Sequence, residues 1–193
     1  MNNDLTIIFY TANKVQEPFA SRVRDHLVRT TKGKIPIISV SQKPLDFGLN
    51  ICVGDIGRSW LSLHKQQLAG LQAIKTKYVG MAEHDCIYSP EHLSWIPPTD
   101  DTFYYNDNMW ILQWKGKHPE MEGMFSFWPN RYCLSQMICN RDLHLKSVEK
   151  RLAVIDSDSG FARQIMRLGE VGTTAIKPLN KLQSLAASGK CGY

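Results

Sequence analysis

The sequence predicts an α/β fold, with a mostly parallel central sheet flanked by helices and a small antiparallel sheet beside it. Three observations predict it. The first third of the chain runs strand, helix, strand, the order of parallel βαβ units. Tyr78 to Ala82 is apolar without alternation, as strands covered on both faces are. Further along, Asn106-Asp107-Asn108 lies between two aromatic-rich runs, a turn sequence typical of antiparallel pairs.

Taken in order, Leu5 to Tyr10 is a β-branched and aromatic run closed by the polar Thr11-Ala12-Asn13-Lys14, and it reads as a buried strand. Glu17 to Thr30 carries Phe19, Val23, Leu27 and Val28 at helical spacing, with Pro18 suited to a first turn. Ile35 to Val40 is the second strand. Residues 41–57, punctuated by Pro44, Gly48, Gly54 and Gly57, read as loop. From Arg58 to Lys75 the apolar positions fall in one helical arc that includes His64, a core histidine on this pattern. After the strand Tyr78 to Ala82, Pro90 to Leu93 predicts a short helix and Pro97 to Asp101 a turn. Phe103 to Tyr105 and Met109 to Trp114 form the predicted hairpin, and residues 115–130 a long loop. Tyr132 to Leu145 predicts a helix followed by a strand, and Gly160 to Leu168 a helix stopped by Gly169.

With 193 residues, 43% of them hydrophobic and 21% charged, the chain can bury a core, which excludes disordered and collagen-like classes. One domain is expected at this length. The net charge of +5 suits phosphates or nucleic acid but selects neither. After Gly172 come Lys177, Lys181 and Lys190 with no acid, a candidate basic arm. The five cysteines include no Cys-x-x-Cys pair, which predicts reduced thiols in a cytoplasmic protein. No signal peptide or membrane span is visible in the sequence.

The strand Tyr78 to Ala82 ends abruptly in Glu83-His84-Asp85. In an open α/β sheet, ligands collect beyond the carboxyl ends of the strands. Residues two apart on an extended strand share a face, so Glu83 and Asp85 are expected to point together, with His84 turned away. Two such carboxylates repel unless a cation compensates, and hard oxygen ligands suit Mg²⁺ or Mn²⁺. The plain alternative is a hydrophilic strand-to-loop turn. A zinc site from His84, Cys86 and His92 has no common spacing behind it.

The stretch Gln67 to Asp85 resembles the central motif of family-two-like, GT-A-fold nucleotide-sugar glycosyltransferases. In that motif a helix with Asn, Gly and Ala leads through an aromatic residue into a strand ending in Asp-x-Asp. Gly70, Ala73 and Tyr78 stand where the pattern expects them; Gln67 replaces the Asn and Glu83-His84-Asp85 the Asp-x-Asp. A second match lies downstream, where Ser157-Asp158 followed by Gly160, Phe161, Ile165 and Gly169 resembles the Glu-Asp pair before a helix, with Ser in place of Glu. The resemblance implies a Rossmann-related, GT-A-like catalytic domain over residues 1–172 and a basic tail over 173–193. It implies an enzyme that moves a sugar from a nucleotide-diphosphate-sugar, a UDP-sugar foremost, to an acceptor hydroxyl with Mn²⁺ or Mg²⁺. Asp85 would bind the metal, with Glu83 on metal or ribose and His84 and Gln67 among the donor contacts. Asp158 would be the catalytic base, with Asp156 in reserve. On the residues alone, Asp156 to Ser159 fits a helix cap equally well.

Thr11 and Asn13 resemble the strand edge that seats the base and ribose in such enzymes. Gly54 to Ser59 opens a helix, so Arg58 and Lys65 are candidates for the diphosphate. Trp110, Trp114, Phe125, Phe127 and Trp128 can stack on a sugar or a nucleobase. The basic final third permits a nucleic-acid acceptor, such as a hydroxymethylated base in phage DNA. Two other classes stay open. A nucleotidyltransferase would use the same carboxylates on a nucleoside triphosphate, and a non-catalytic basic module would bind nucleic acid without turnover.

Overall fold

The computed structural model describes residues 4–113, 119–128, 132–157 and 190–192. In chain order these form β1 (Leu5–Thr11), α1 (Phe19–Thr31), β2 (Ile37–Ser41), β3 (Leu49–Cys52), α2 (Trp60–Ala73), β4 (Tyr78–Glu83) and α3 (Pro90–Ser94). Then follow β5 (Thr102–Tyr105), β6 (Trp110–Leu112), β7 (Phe125–Phe127), β8 (Met137–Asn140), α4 (Arg141–Ser157) and β9 (Lys190–Gly192). The main sheet has seven strands in the order β3-β2-β1-β4-β8-β5-β9, and β6 and β7 make a separate two-stranded sheet. The α/β architecture is the one the sequence predicts.

Every residue of β1 is buried because the strand is flanked on both sides by parallel partners and covered on both faces. Its alternation divides the core. Ile8 and Tyr10 join Val40, Val79, Met81 and Leu71 on the side where α2 and α4 pack together. Leu5, Ile7 and Phe9 join Leu27, Ala82 and Leu93 on the side where α1 meets α3. Gly70 lets α2 lie close on the sheet, for a Cβ there would come within 2.9 Å of Ile8 Cδ1 and 3.1 Å of Val40 Cγ2.

Several expectations are corrected. β3 lies inside the predicted 41–57 loop: Gly48, with φ +57, turns the chain back, and Leu49–Cys52 pairs with β2 as a short strand. The expected hairpin between 103–105 and 109–114 does not form. Phe103 and Tyr105 are buried, and β5 pairs with β8, while the aromatic run after Asn108 pairs with β7, within the predicted 115–130 loop. In Tyr132 to Leu145 the helix expected ahead of the strand is only a 3-10 turn, Leu134–Gln136, before β8, and the long helix α4 follows the strand. The helix predicted from Gly160 to Leu168 lies outside the described residues, as do Trp114 and Asp158. Within the expected tail, residues 190–192 pair with β5.

Strands β3, β2, β1, β4 and β5 all point their carboxyl ends to one rim, while β8 runs antiparallel to both of its neighbours β4 and β5. Tyr105 therefore stands opposite Met137, so β8 begins at the rim where β4 and β5 end.

Candidate active site at the carboxyl rim

Glu83 closes β4 opposite Tyr10 of β1, and the Tyr10 hydroxyl donates to its carboxylate. The backbone then leaves the sheet in a turn in which Cys86 N–H approaches Glu83 O at 3.4 Å, while Glu83 N–H donates to Tyr88 Oη at 2.9 Å. This turn, and not a continued strand, gathers the acids. Ligand atoms of Glu83, Asp85 and Cys86 lie within 4.8 Å of one another, Asp85 exposed and the other two partly covered. Neither His84 nor His92 belongs to the group, so the zinc alternative is not assembled among the described residues. His84 is half-buried, and its Nδ1 has no hydrogen-bond partner among the described residues.

Burial pushes the Glu83 carboxyl above its usual range; the Tyr10 hydrogen bond draws it back, and the charge of Asp85 adds to the rise. Burial, then the charges of Glu83 and Asp85, push the Cys86 thiol up to about 12. The donor set fits a hard divalent cation. Two neighbouring carboxylates offer oxygen ligands, whereas a thiol that stays protonated at neutral pH is no ligand for Mg²⁺ or Mn²⁺.

Thr11 ends β1 beside this group. Its Oγ1 accepts from Asn13 N–H at 2.9 Å, and Asn13 Oδ1 accepts from the N–H groups of Gln42 at 2.9 Å and Lys43 at 3.0 Å. Asn13, with φ 55, thus ties the ends of β1 and β2 together. The buried Gln66, which sequence reasoning missed, donates from Nε2 to Thr11 O and Val40 O and anchors α2 under the same rim. Ser59 caps α2 by accepting from Ser62 N–H at 3.1 Å, with Arg58 and Lys65 exposed near that helix start. Neither cation forms an ion pair with Glu83 or Asp85 among the described residues.

Gln67 is a correction. It has no exposed surface, and its Oε1 lies 2.9 Å from His144 Nε2 while its Nε2 lies 3.4 Å from His64 Nδ1. It links α2 to α4 inside the core and cannot reach a donor. His64 is buried, as its place in the apolar arc predicts. Asp156 falls in the last turn of α4, and the helix that Asp156 to Ser159 would cap lies outside the described residues.

Between α3 and the end of β5, on the side of the sheet where Ile138 and Leu93 are buried, lies a cavity of about 430 Å³ that the sequence did not reveal. Trp95, Tyr104 and Tyr105 form its aromatic wall, and His92, Asn106 and Gln136 contribute polar groups. One continuous segment, 83–95, carries both features: the Tyr88 ring whose hydroxyl receives Glu83 N–H stacks on His92 at 5.6 Å. Glu83 and Asp85 do not themselves line the cavity.

No family profile matches the chain, and no curated protein matches it in sequence. Among solved structures it is similar to the bifunctional IspDF from Campylobacter jejuni, with 12% identity and a TM-score of 0.48, over 94% of this chain and 54% of that one. It is also similar to a glycosyltransferase involved in the glycosylation of the major capsid of PBCV-1, with 10% identity and a TM-score of 0.47, over 78% of this chain and 66% of that one. The chain thus spans less than two thirds of the length of either structure. At such values neither likeness assigns an activity to this chain.

Proposed function

We propose that this chain is a metal-dependent glycosyltransferase that moves a sugar from a nucleotide-diphosphate-sugar, a UDP-sugar foremost, to an acceptor hydroxyl. The observation that supports it most is the convergence of Glu83 and Asp85 at the end of β4, where the parallel run β3-β2-β1-β4 meets the antiparallel β8. Mn²⁺ or Mg²⁺, when bound, supplies positive charge to the departing diphosphate. Asp85 and Glu83 hold it. The Tyr10 hydroxyl fixes the Glu83 carboxylate, and Asn13, held by the buried Thr11 at the end of β1, provides the neighbouring surface for the nucleotide. Arg58 and Lys65, near the start of α2, are the cations available to the phosphates.

The acceptor oxygen forms the new bond to the anomeric carbon as the bond from that carbon to the diphosphate oxygen breaks. A carboxylate takes the hydroxyl proton, and the nucleoside diphosphate leaves. The resemblance makes Asp158 that base, with Asp156 in reserve.

A panel of nucleotide-sugars with Mn²⁺ or Mg²⁺, scored by thermal stabilisation and by nucleoside diphosphate release, tests the proposal. Release that depends on metal and on Asp85 is expected. Consumption of a nucleoside triphosphate with pyrophosphate release would assign nucleotidyl transfer to the same carboxylates instead. Nucleic-acid binding that persists in Asp85→Ala and Asp158→Ala, without turnover of any nucleotide, would reject an enzyme altogether.

A further inference from the structure

We infer that the cavity between α3 and β5 binds the ring of an uncharged saccharide, and that this sugar carries the acceptor hydroxyl of the proposed transfer. The second half rests on the glycosyltransferase reading; the first rests on the cavity alone.

At about 430 Å³ the space is of the size that small-molecule sites have. Trp95 meets Tyr104 edge-on at 4.9 Å and stays partly exposed, so the wall offers ring faces to a ligand. The C–H face of a pyranose is apolar and weakly positive, and it complements the negative face of an aromatic ring. Polar lining comes from the side-chain amides of Asn106, Asn108 and Gln136; Asn106 Oδ1 already accepts from Asn108 N–H at 2.9 Å and Asn108 Oδ1 from Trp110 Nε1–H at 3.0 Å, which fixes how these amides are presented to a sugar hydroxyl. His92 is about nine-tenths buried, and its Nε2 has no hydrogen-bond partner among the described residues. Burial lowers its pKa to about 4, so the imidazole is neutral and can serve a hydroxyl without carrying charge.

The charge of the described lining favours a neutral ligand over a nucleic acid. Among the described residues no lysine or arginine lines the cavity, and Glu91 does. A DNA strand delivering a flipped base would bring phosphates to the mouth of the pocket, where binding depends on basic side chains. A neutral glycan meets no such penalty.

The test uses the full chain without donor. Methyl glycosides of glucose, galactose, mannose and N-acetylglucosamine are screened by saturation-transfer NMR, and an oligodeoxynucleotide containing hydroxymethylcytosine by fluorescence anisotropy. At least one glycoside is expected to bind, with affinity about tenfold lower in Trp95→Ala. Because Trp95 is partly exposed, that variant should keep the wild-type circular dichroism; Asn108→Ala, also exposed, is the second probe of the same wall. Binding of no glycoside, or glycoside binding indifferent to both variants, overturns the inference. So does oligonucleotide binding that Trp95→Ala abolishes. Nucleotide-sugar stabilisation is measured in parallel and should be unchanged in Trp95→Ala. If it is absent even in the wild type while glycosides bind, the transferase reading and the acceptor role fail together and the saccharide site stands.

Discussion

Gln67 sits between imidazoles that cannot take up protons in place. Burial, then the charge of Arg151, lowers His64 to about 3; burial, then His64 and Arg151, lowers His144 to about 3. Their unfolded value is near 6.5, so between about 6.5 and 3 the unfolded chain binds protons that the folded one refuses. The contribution to stability is complete above about 6.5 and is lost as pH falls, by ~1.4 kcal/mol per pH unit for each imidazole. Denaturant midpoints at pH 7.5, 6.0 and 5.0 should fall along that slope, and His144→Gln should remove one proton's worth of it. A slope identical to wild type would contradict the burial of His144. The carboxylates call for a different measurement. Asp85 is exposed, so Asp85→Ala should change stability by no more than about 0.5 kcal/mol. Nucleoside diphosphate release should nonetheless drop by about two orders of magnitude or more. Retained release would remove the metal-site assignment. At this scale the sequence was legible where a residue's role follows from its helix face, as for His64. It misled at Gln67, whose amide is claimed by His144, a partner that no local pattern announces.

Among the elements, β3 and the aromatic hairpin were misread for opposite reasons. β3 is short, flanked by turn residues and exposed at Leu49, so it shows neither alternation nor a buried run. The segment around Asn106-Asp107-Asn108 has strong turn chemistry, but tertiary pairing decides where its strands go. β5 is taken into the main sheet by β8, and β6 finds β7. The structure makes Gly48 the sensitive point of the β3 turn. Its φ is +57, and a Cβ would come within 2.4 Å of Ile37 O. Gly48→Ala should therefore cost roughly 1–3 kcal/mol or more, read from urea midpoints. Ser59→Ala removes the cap of α2 and should cost about 1 kcal/mol, with no effect on the β3 edge. If Gly48→Ala were as stable as wild type, the backbone path into β3 would have to differ.

For the molecule as a whole, ligand binding and stability are linked. A UDP-sugar with Mn²⁺ at a hundred times its dissociation constant should stabilise the folded state by about 2.7 kcal/mol. That is a rise in Tm of roughly 5–10 °C for a chain of this size. The rise should vanish in Asp85→Ala. The acidic junction was visible in the sequence because its residues are consecutive and follow a buried strand. The cavity was not, since residues from α3, β5 and the start of β8 come together only when the sheet is assembled. The separate β6-β7 sheet has a related origin. β5 finishes and β8 sets out at the same edge, so everything from 106 to 136 departs from and returns to one place. That stretch behaves as an exchangeable cassette. Replacing it with another of different length or chemistry changes the cavity wall that Asn106, Asn108 and Gln136 supply, while the order of the strands beneath is left as it was.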